Sequence, residues 1–179
     1  MQLEMKSVPM NEARARGAIL GFDGPTRFLS NFAPSPVTAY GITFPTVEHA
    51  FAAAKIDPAD PRRERTAALE EMRQIAAAPG PNAAKRMGRR TLMRPDWDQV
   101  KAGMITELVR RKFADPELRA RLLATGDAEL FELNIWGDRI WGVVEENGVM
   151  HGRNWLGEIL MLVRAEIRNG PNSPEGENV

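Results

Sequence analysis

Glu48 and Lys55 are the pair of residues in this chain whose spacing points most directly to chemistry. Glu48 falls in the first turn of an expected helix over 47–55, where unpaired amide donors and the positive end of the helix dipole favour an ionised carboxylate. Lys55 follows two helical turns later, about 10 Å along the same face. A carboxylate and an amine so placed can flank one small molecule, although a well-chosen first-turn glutamate and an exposed stripe have the same pattern. Four tryptophans (Trp97, Trp136, Trp141 and Trp155) against a single tyrosine add flat indole faces, suited either to stacking a base or to core packing. Two Trp-Gly pairs bracket Asp138 in Trp136-Gly137-Asp138-Arg139-Ile140-Trp141-Gly142, a segment without helical periodicity that reads as a site loop or a structural turn. Asn31, in Phe28-Leu29-Ser30-Asn31-Phe32, and Asn154, after Gly152-Arg153, carry amides that can bond ribose hydroxyls or close turns.

Several other chemistries are set aside. The chain has no cysteine, hence no disulfide, thiolate zinc site or cysteine nucleophile, and its two histidines, His49 and His151, are too far apart for a local metal motif. Neither histidine has a serine and an acid in a triad arrangement, so both are expected to be packed or surface residues. Met87-Gly88-Arg89-Arg90 lacks the ending of a phosphate-binding Walker loop, and no GxGxxG occurs. No metal and no cofactor are expected.

The elements that must position these residues are mostly helical. Short strands are expected at 18–22, around Val37 and at Ile42–Phe44, with Tyr40-Gly41 as the turn between the last two, which makes a small sheet near the N-terminus. Pro45 and Thr46 open the 47–55 helix. An arginine-rich helix over roughly 59–78 stops at Ala78-Pro79-Gly80-Pro81, and helices follow at about 82–88, 97–113 and 115–125. The last helix, 154–168, spaces Leu156, Ile159, Leu160, Val163 and Ile167 as a core stripe. The expected fold class is therefore α+β: a helix-dominated single domain over 18–169 with a small N-terminal sheet, flanked by flexible tails at 1–17 and 170–179.

With 179 residues, 43% apolar and 27% charged, the composition is that of one globular domain. No apolar run is long enough for a membrane span and the N-terminus lacks the apolar core of a signal peptide, so a cytoplasmic location is expected. The balance of 24 basic and 24 acidic residues hides an uneven distribution: 62–94 holds eight Arg and one Lys against three Glu. Arginine outnumbers lysine 19 to 5 in the chain, and its planar fork suits phosphate, but a solvated helical face has the same composition.

Taken together, Phe28-Leu29-Ser30-Asn31-Phe32, Phe44-Pro45-Thr46-Val47-Glu48-His49-Ala50-Phe51 through Lys55, Ala83-Ala84-Lys85-Arg86-Met87-Gly88-Arg89, Trp97 and Lys101 resemble the NADAR (YbiA-like) superfamily. The C-terminal half follows the same order through Lys112-Phe113, Leu122 to Gly126, Leu130-Phe131-Glu132, Asp138, Trp141-Gly142 and Gly152 to Met161, so the resemblance runs over about 25–165. It implies an N-glycosidase that breaks the bond between ribose C1 and nitrogen. The implied substrates are small nucleotides, such as phosphoribosylamino-pyrimidine intermediates of riboflavin synthesis, or ADP-ribosylated guanine in nucleic acid. By motif position the resemblance implies catalytic roles for Glu48, Asp138 and Lys55, and substrate binding by Asn31, Trp97, Trp141, Arg27, Asn154, Lys85 and Arg89.

The implied chemistry fits these residue types. Breaking a C1–N bond builds oxocarbenium-like charge, which a fixed carboxylate such as Glu48 stabilises, while Asp138 would hold ribose hydroxyls or assist the leaving base. Lys55 would bind phosphate or attack C1 of a ring-opened ribose. Ala52-Ala53-Ala54 departs from the family's longer polar side chains, which would either open that helix face to a larger group or repack it. The competing reading from another class is a module that binds ADP-ribose or NAD without turnover.

Overall fold

Helix boundaries in the computed structural model, which describes residues 4–170, follow local capping chemistry. In chain order the elements are β1 (Lys6–Pro9), α1 (Met10–Ala15), β2 (Ile19–Leu20), a 3₁₀ turn (Gly24–Leu29), β3 (Val37–Ala39), β4 (Ile42–Phe44), α2 (Val47–Ala53), α3 (Arg65–Ala76), α4 (Pro81–Met87), α5 (Trp97–Lys112), α6 (Pro116–Leu123), β5 (Leu130–Phe131), β6 (Val144–Glu146), β7 (Val149–Gly152) and α7 (Trp155–Asn169). The class is α+β, dominated by helix. Thr46 caps α2 by accepting from the His49 amide at 3.3 Å, and Asp115 caps α6 by accepting from the Leu118 amide at 2.9 Å. The helix expected over 59–78 begins only at Arg65. Asp57 accepts from the Ala59 amide and Asp60 from the Arg62 amide, both at 2.9 Å, and these side-chain turns, with Pro58 and Pro61, hold the preceding stretch off the helix.

Contacts divide the described residues into two compact units, one from 31–114 and one from 4–30 with 115–170. In the 31–114 unit, β3 and β4 pair antiparallel as Val37↔Phe44, Thr38↔Thr43 and Ala39↔Ile42. The turn is the expected Tyr40-Gly41, with φ of 54° and 70°. α2 is the central element, packed against α3, α4 and α5. Its burial answers the question raised by Ala52-Ala53-Ala54: all three are buried, and a Cβ on Gly88 would lie 2.9 Å from that of Ala52. Ala52 lets α4 close onto α2.

In the other unit, β1, β7 and β6 form a three-stranded antiparallel sheet, and β2 pairs parallel with β5. In place of one sheet near the N-terminus, this unit has two, and three of their five strands come from 130–152. Residues 6–15, expected within a flexible tail, form β1 and α1 instead, with Ala13 fully buried beside Phe131, Val143 and Met150. The tail expected at the other end lies, beyond Gly170, outside the described residues. α6 and β5 pack on α7, which buries Leu156, Ile159, Leu160 and Val163 of the predicted stripe and leaves its fifth member, Ile167, half-buried. Among the described residues no helix is long and apolar enough to cross a membrane.

Lys112, at the end of α5, is 1% exposed, and burial lowers its pKa to about 7. Between that value and the unfolded value of 10.5 the unfolded chain holds the proton and the folded one does not, so stability rises with pH across the window and is lowest at and below about pH 7. Relative to Lys112→Met, the wild type should lose about 2 kcal/mol of stability between pH 9 and pH 7. Urea unfolding of both proteins at the two pH values checks this; a constant gap would refute it.

Candidate active site

Only one edge of α2 is accessible. Val47, His49, Ala50, Ala52 and Ala53 are buried, whereas Glu48, Phe51 and Lys55, spaced three and four residues apart, share the face that is left. His49 is removed from chemistry by its partners. Its Nε2 faces the Ala78 carbonyl at 3.3 Å and so carries the proton, which leaves Nδ1 to accept from the Thr46 hydroxyl at 2.8 Å, and burial holds its pKa below the ordinary histidine range. The ring anchors the helix that carries Glu48.

The surroundings of that face are aromatic and cationic. Phe51 packs tilted against Trp97 with ring centroids 5.0 Å apart, and Lys55 Nζ lies 5.8 Å from the centroid of the same indole. Trp97 is 8% exposed, so most of its surface is already covered. The Glu48 amide donates to the Asn31 carbonyl at 3.0 Å, and the Asn31 side-chain Oδ1 is buried with no hydrogen-bond partner. Such an acceptor is suited to a hydroxyl donor. The Lys55 amine sits below the ordinary lysine range: burial is the main cause, Arg89 and Lys85 push the same way, and Glu48 opposes.

The basic stretch resolves into two sets. Arg62, Arg63, Arg73 and Arg94 are paired with Asp60, Glu71, Glu70 and Asp96. Arg65, Lys85, Arg86, Arg89 and Arg90 have no ion-pair partner among the described residues, and the last four lie together at the end of α4, with Lys85 Nζ 5.6 Å from the Phe32 ring centroid.

The remaining expected residues belong to the other unit. Arg27 is exposed at the end of its 3₁₀ turn. Asp138 Oδ1 accepts from the Ile140 and Trp141 amides, each at 2.9 Å. Asn134, 3% exposed, accepts from the Asp138 amide at 3.0 Å and donates to the Asp138 and Val143 carbonyls at 2.7 and 3.1 Å. Trp141 meets Trp155 edge-on at 5.2 Å. Asn154 requires a correction: it is fully buried in the left-handed conformation, its Oδ1 accepting from the Glu132 amide at 3.0 Å and its Nδ2 donating to the Leu130 carbonyl at 2.8 Å. The amide expected to reach ribose instead ties β5 to the start of α7.

The NADAR domain model matches residues 21–168. The chain belongs to the NADAR family. Among NADAR relatives, the N-glycosidase YbiA of Escherichia coli (strain K12) is 38% identical over 141 residues, covering 77% of this chain and 79% of that protein. A riboflavin biosynthesis protein of Vibrio vulnificus (strain YJ016) is 37% identical over 145 residues, covering 79% of this chain, which spans only 35% of that protein's length. The NMR structure of E. coli YbiA superposes with a TM-score of 0.67 at 33% identity, covering 84% of each chain.

One residue of this NADAR chain escaped the sequence reading, and another was singled out there without its exposure. Asn134 organises the Asp138 loop, and no local pattern in Leu133-Asn134-Ile135 announces it. Trp136, in contrast to Trp141, is 68% exposed on that clamped loop; the Trp-Gly pair was visible in the sequence, but which of the two residues stays open was not. Asp138→Ala should cost about 2 kcal/mol by removing the acceptor of two amides, whereas Asp138→Asn, which retains that acceptor oxygen, should cost less than half as much. Thermal unfolding of both variants checks this, and equal losses would contradict it.

Proposed function

We propose that this protein hydrolyses the N-glycosidic bond of ribosylamino or ADP-ribosyl compounds. The observation that carries the reading is the single accessible face of α2, which presents Glu48 and a half-buried Lys55 of lowered pKa beside the Phe51–Trp97 ring pair. In this reading the Glu48 carboxylate stabilises positive charge developing at C1, and the unpartnered Asn31 Oδ1 accepts from a ribose hydroxyl. The unpaired Lys85, Arg86, Arg89 and Arg90 receive phosphate.

The lowered amine favours a covalent route at Lys55. For a nitrogen outside the leaving ring, opening of the ribose converts the C1–N bond to a protonated imine. The neutral amine of Lys55 adds its lone pair to C1, the original C1–N bond breaks, and the leaving amine departs with a proton. The resulting Schiff base takes up water, releasing the open-chain sugar and returning the free lysine. Asp138, with one oxygen committed to the Ile140 and Trp141 amides, fixes the loop that carries Trp136 and Trp141.

The test is sugar release from a ribosylamino-pyrimidine phosphate, from ADP-ribosylated guanine in DNA, and from free NAD. Release from one of the first two supports the reading and selects the substrate. Saturable binding of all three without release would make the protein a binding module instead.

A further inference from the structure

In the 31–114 unit, a cleft of about 250 Å³ lies between the β3–β4 turn and α5. Ala39, Ala54 and Leu108 give it apolar walls, and Tyr40 and Met104 line it further. The Tyr40 hydroxyl donates to Met104 Sδ at 3.6 Å, which aligns the chain's only tyrosine with the thioether. Arg111 stands at this cleft with Glu107; its Nε donates to Glu107 Oε1 at 2.9 Å and its Nη1 to the Thr38 carbonyl at 2.6 Å, so the guanidinium is held in place.

Tyr40 is an expensive choice for this turn. Its φ of 54° is a conformation that glycine and asparagine adopt readily and tyrosine does not, and the ring is still 39% exposed. Packing against Met104 covers only part of the side chain. A flat ring beside a polarisable sulfur, over apolar walls and next to a fixed guanidinium, has the makings of a small recognition site. The volume suits a single-ring or fused-ring group.

We propose that this cleft is a second small-molecule site, separate from the α2 face, which takes a planar heteroaromatic ring carrying one anionic group, stacked on Tyr40 with its anion directed to Arg111.

The probes are adenosine 5′-monophosphate and nicotinate, which offer the ring with a phosphate or with a carboxylate. Each is titrated into protein labelled at the methionine methyl groups, with the Met104 signal assigned by Met104→Leu. The expected result is a saturable shift of Met104 with at least one probe, and the stronger of the two identifies the anion. Tyr40→Asn should weaken that binding about tenfold or more while leaving the melting temperature equal or higher, because asparagine relieves the turn. No Met104 shift with either probe, or equal binding by Tyr40→Asn, would overturn the proposal. None of these readouts depends on glycosidase activity, so the two proposals fail separately.

Discussion

Glu48→Gln is expected to lower turnover by at least about a hundredfold while leaving substrate affinity within a few-fold of wild type. The substitution keeps the shape of the side chain and its place in the first turn of α2, and removes the negative charge that would face the developing cation. A hundredfold loss corresponds to about 2.7 kcal/mol, the scale at which removal of one preorganised electrostatic partner acts on a transition state. The cap itself should persist, because the Thr46 hydroxyl accepts from the His49 amide and bonds the His49 ring. Rates and KM for the substrate found by sugar release decide the matter. Turnover within a few-fold of wild type would remove Glu48 from the chemistry, and a loss confined to KM would make it a binding group.

How much of this could be read from the sequence depended on how local each feature is. The Tyr40–Lys55 run announced its own structure: the hairpin turn, the Thr46 cap and the shared face of Glu48 and Lys55 are all decided within this one local stretch. α5 and α7 were legible for the same reason, through apolar periodicity. β1 was not, because Lys6–Pro9 has no alternation of its own and is made a strand by pairing with Val149–Gly152 at the far end of the chain. A shorter separation was enough to hide the fate of Asn154, whose partners Leu130 and Glu132 are contributed by another segment.

Charge posed a different difficulty. The excess of arginine over 62–94 was plain, but which cations are already neutralised depends on side-chain geometry. Asp60 and Arg62 form a close pair that lowers the aspartate pKa to about 2, whereas Arg86, Arg89 and Arg90 find no carboxylate among the described residues. Composition counted all nine cations alike. Ala52-Ala53-Ala54 posed a related problem, since small side chains open a surface or admit a neighbour with equal ease, and only the approach of Gly88 distinguishes the two.

Lys55 should form a trappable adduct. Borohydride added during turnover is expected to reduce a Schiff base to a stable secondary amine, and mass spectrometry of the digested protein should place the added sugar on Lys55. A helix-end lysine in water would be protonated almost completely at neutral pH and a poor nucleophile. Here burial beside Trp97, together with the charges of Arg89 and Lys85, lowers the amine's pKa against the opposing pull of Glu48 and enlarges the neutral fraction that can attack C1. Lys55→Arg keeps the positive charge but offers no nucleophile near neutral pH, so it should abolish both the adduct and turnover, with a loss of roughly a thousandfold or more. Lys55→Arg also separates the covalent role from simple phosphate binding, which arginine would serve at least as well. Turnover demonstrated in the same tube without an adduct, together with substantial activity in Lys55→Arg, would assign the lysine to binding and leave Glu48 to act on water directly.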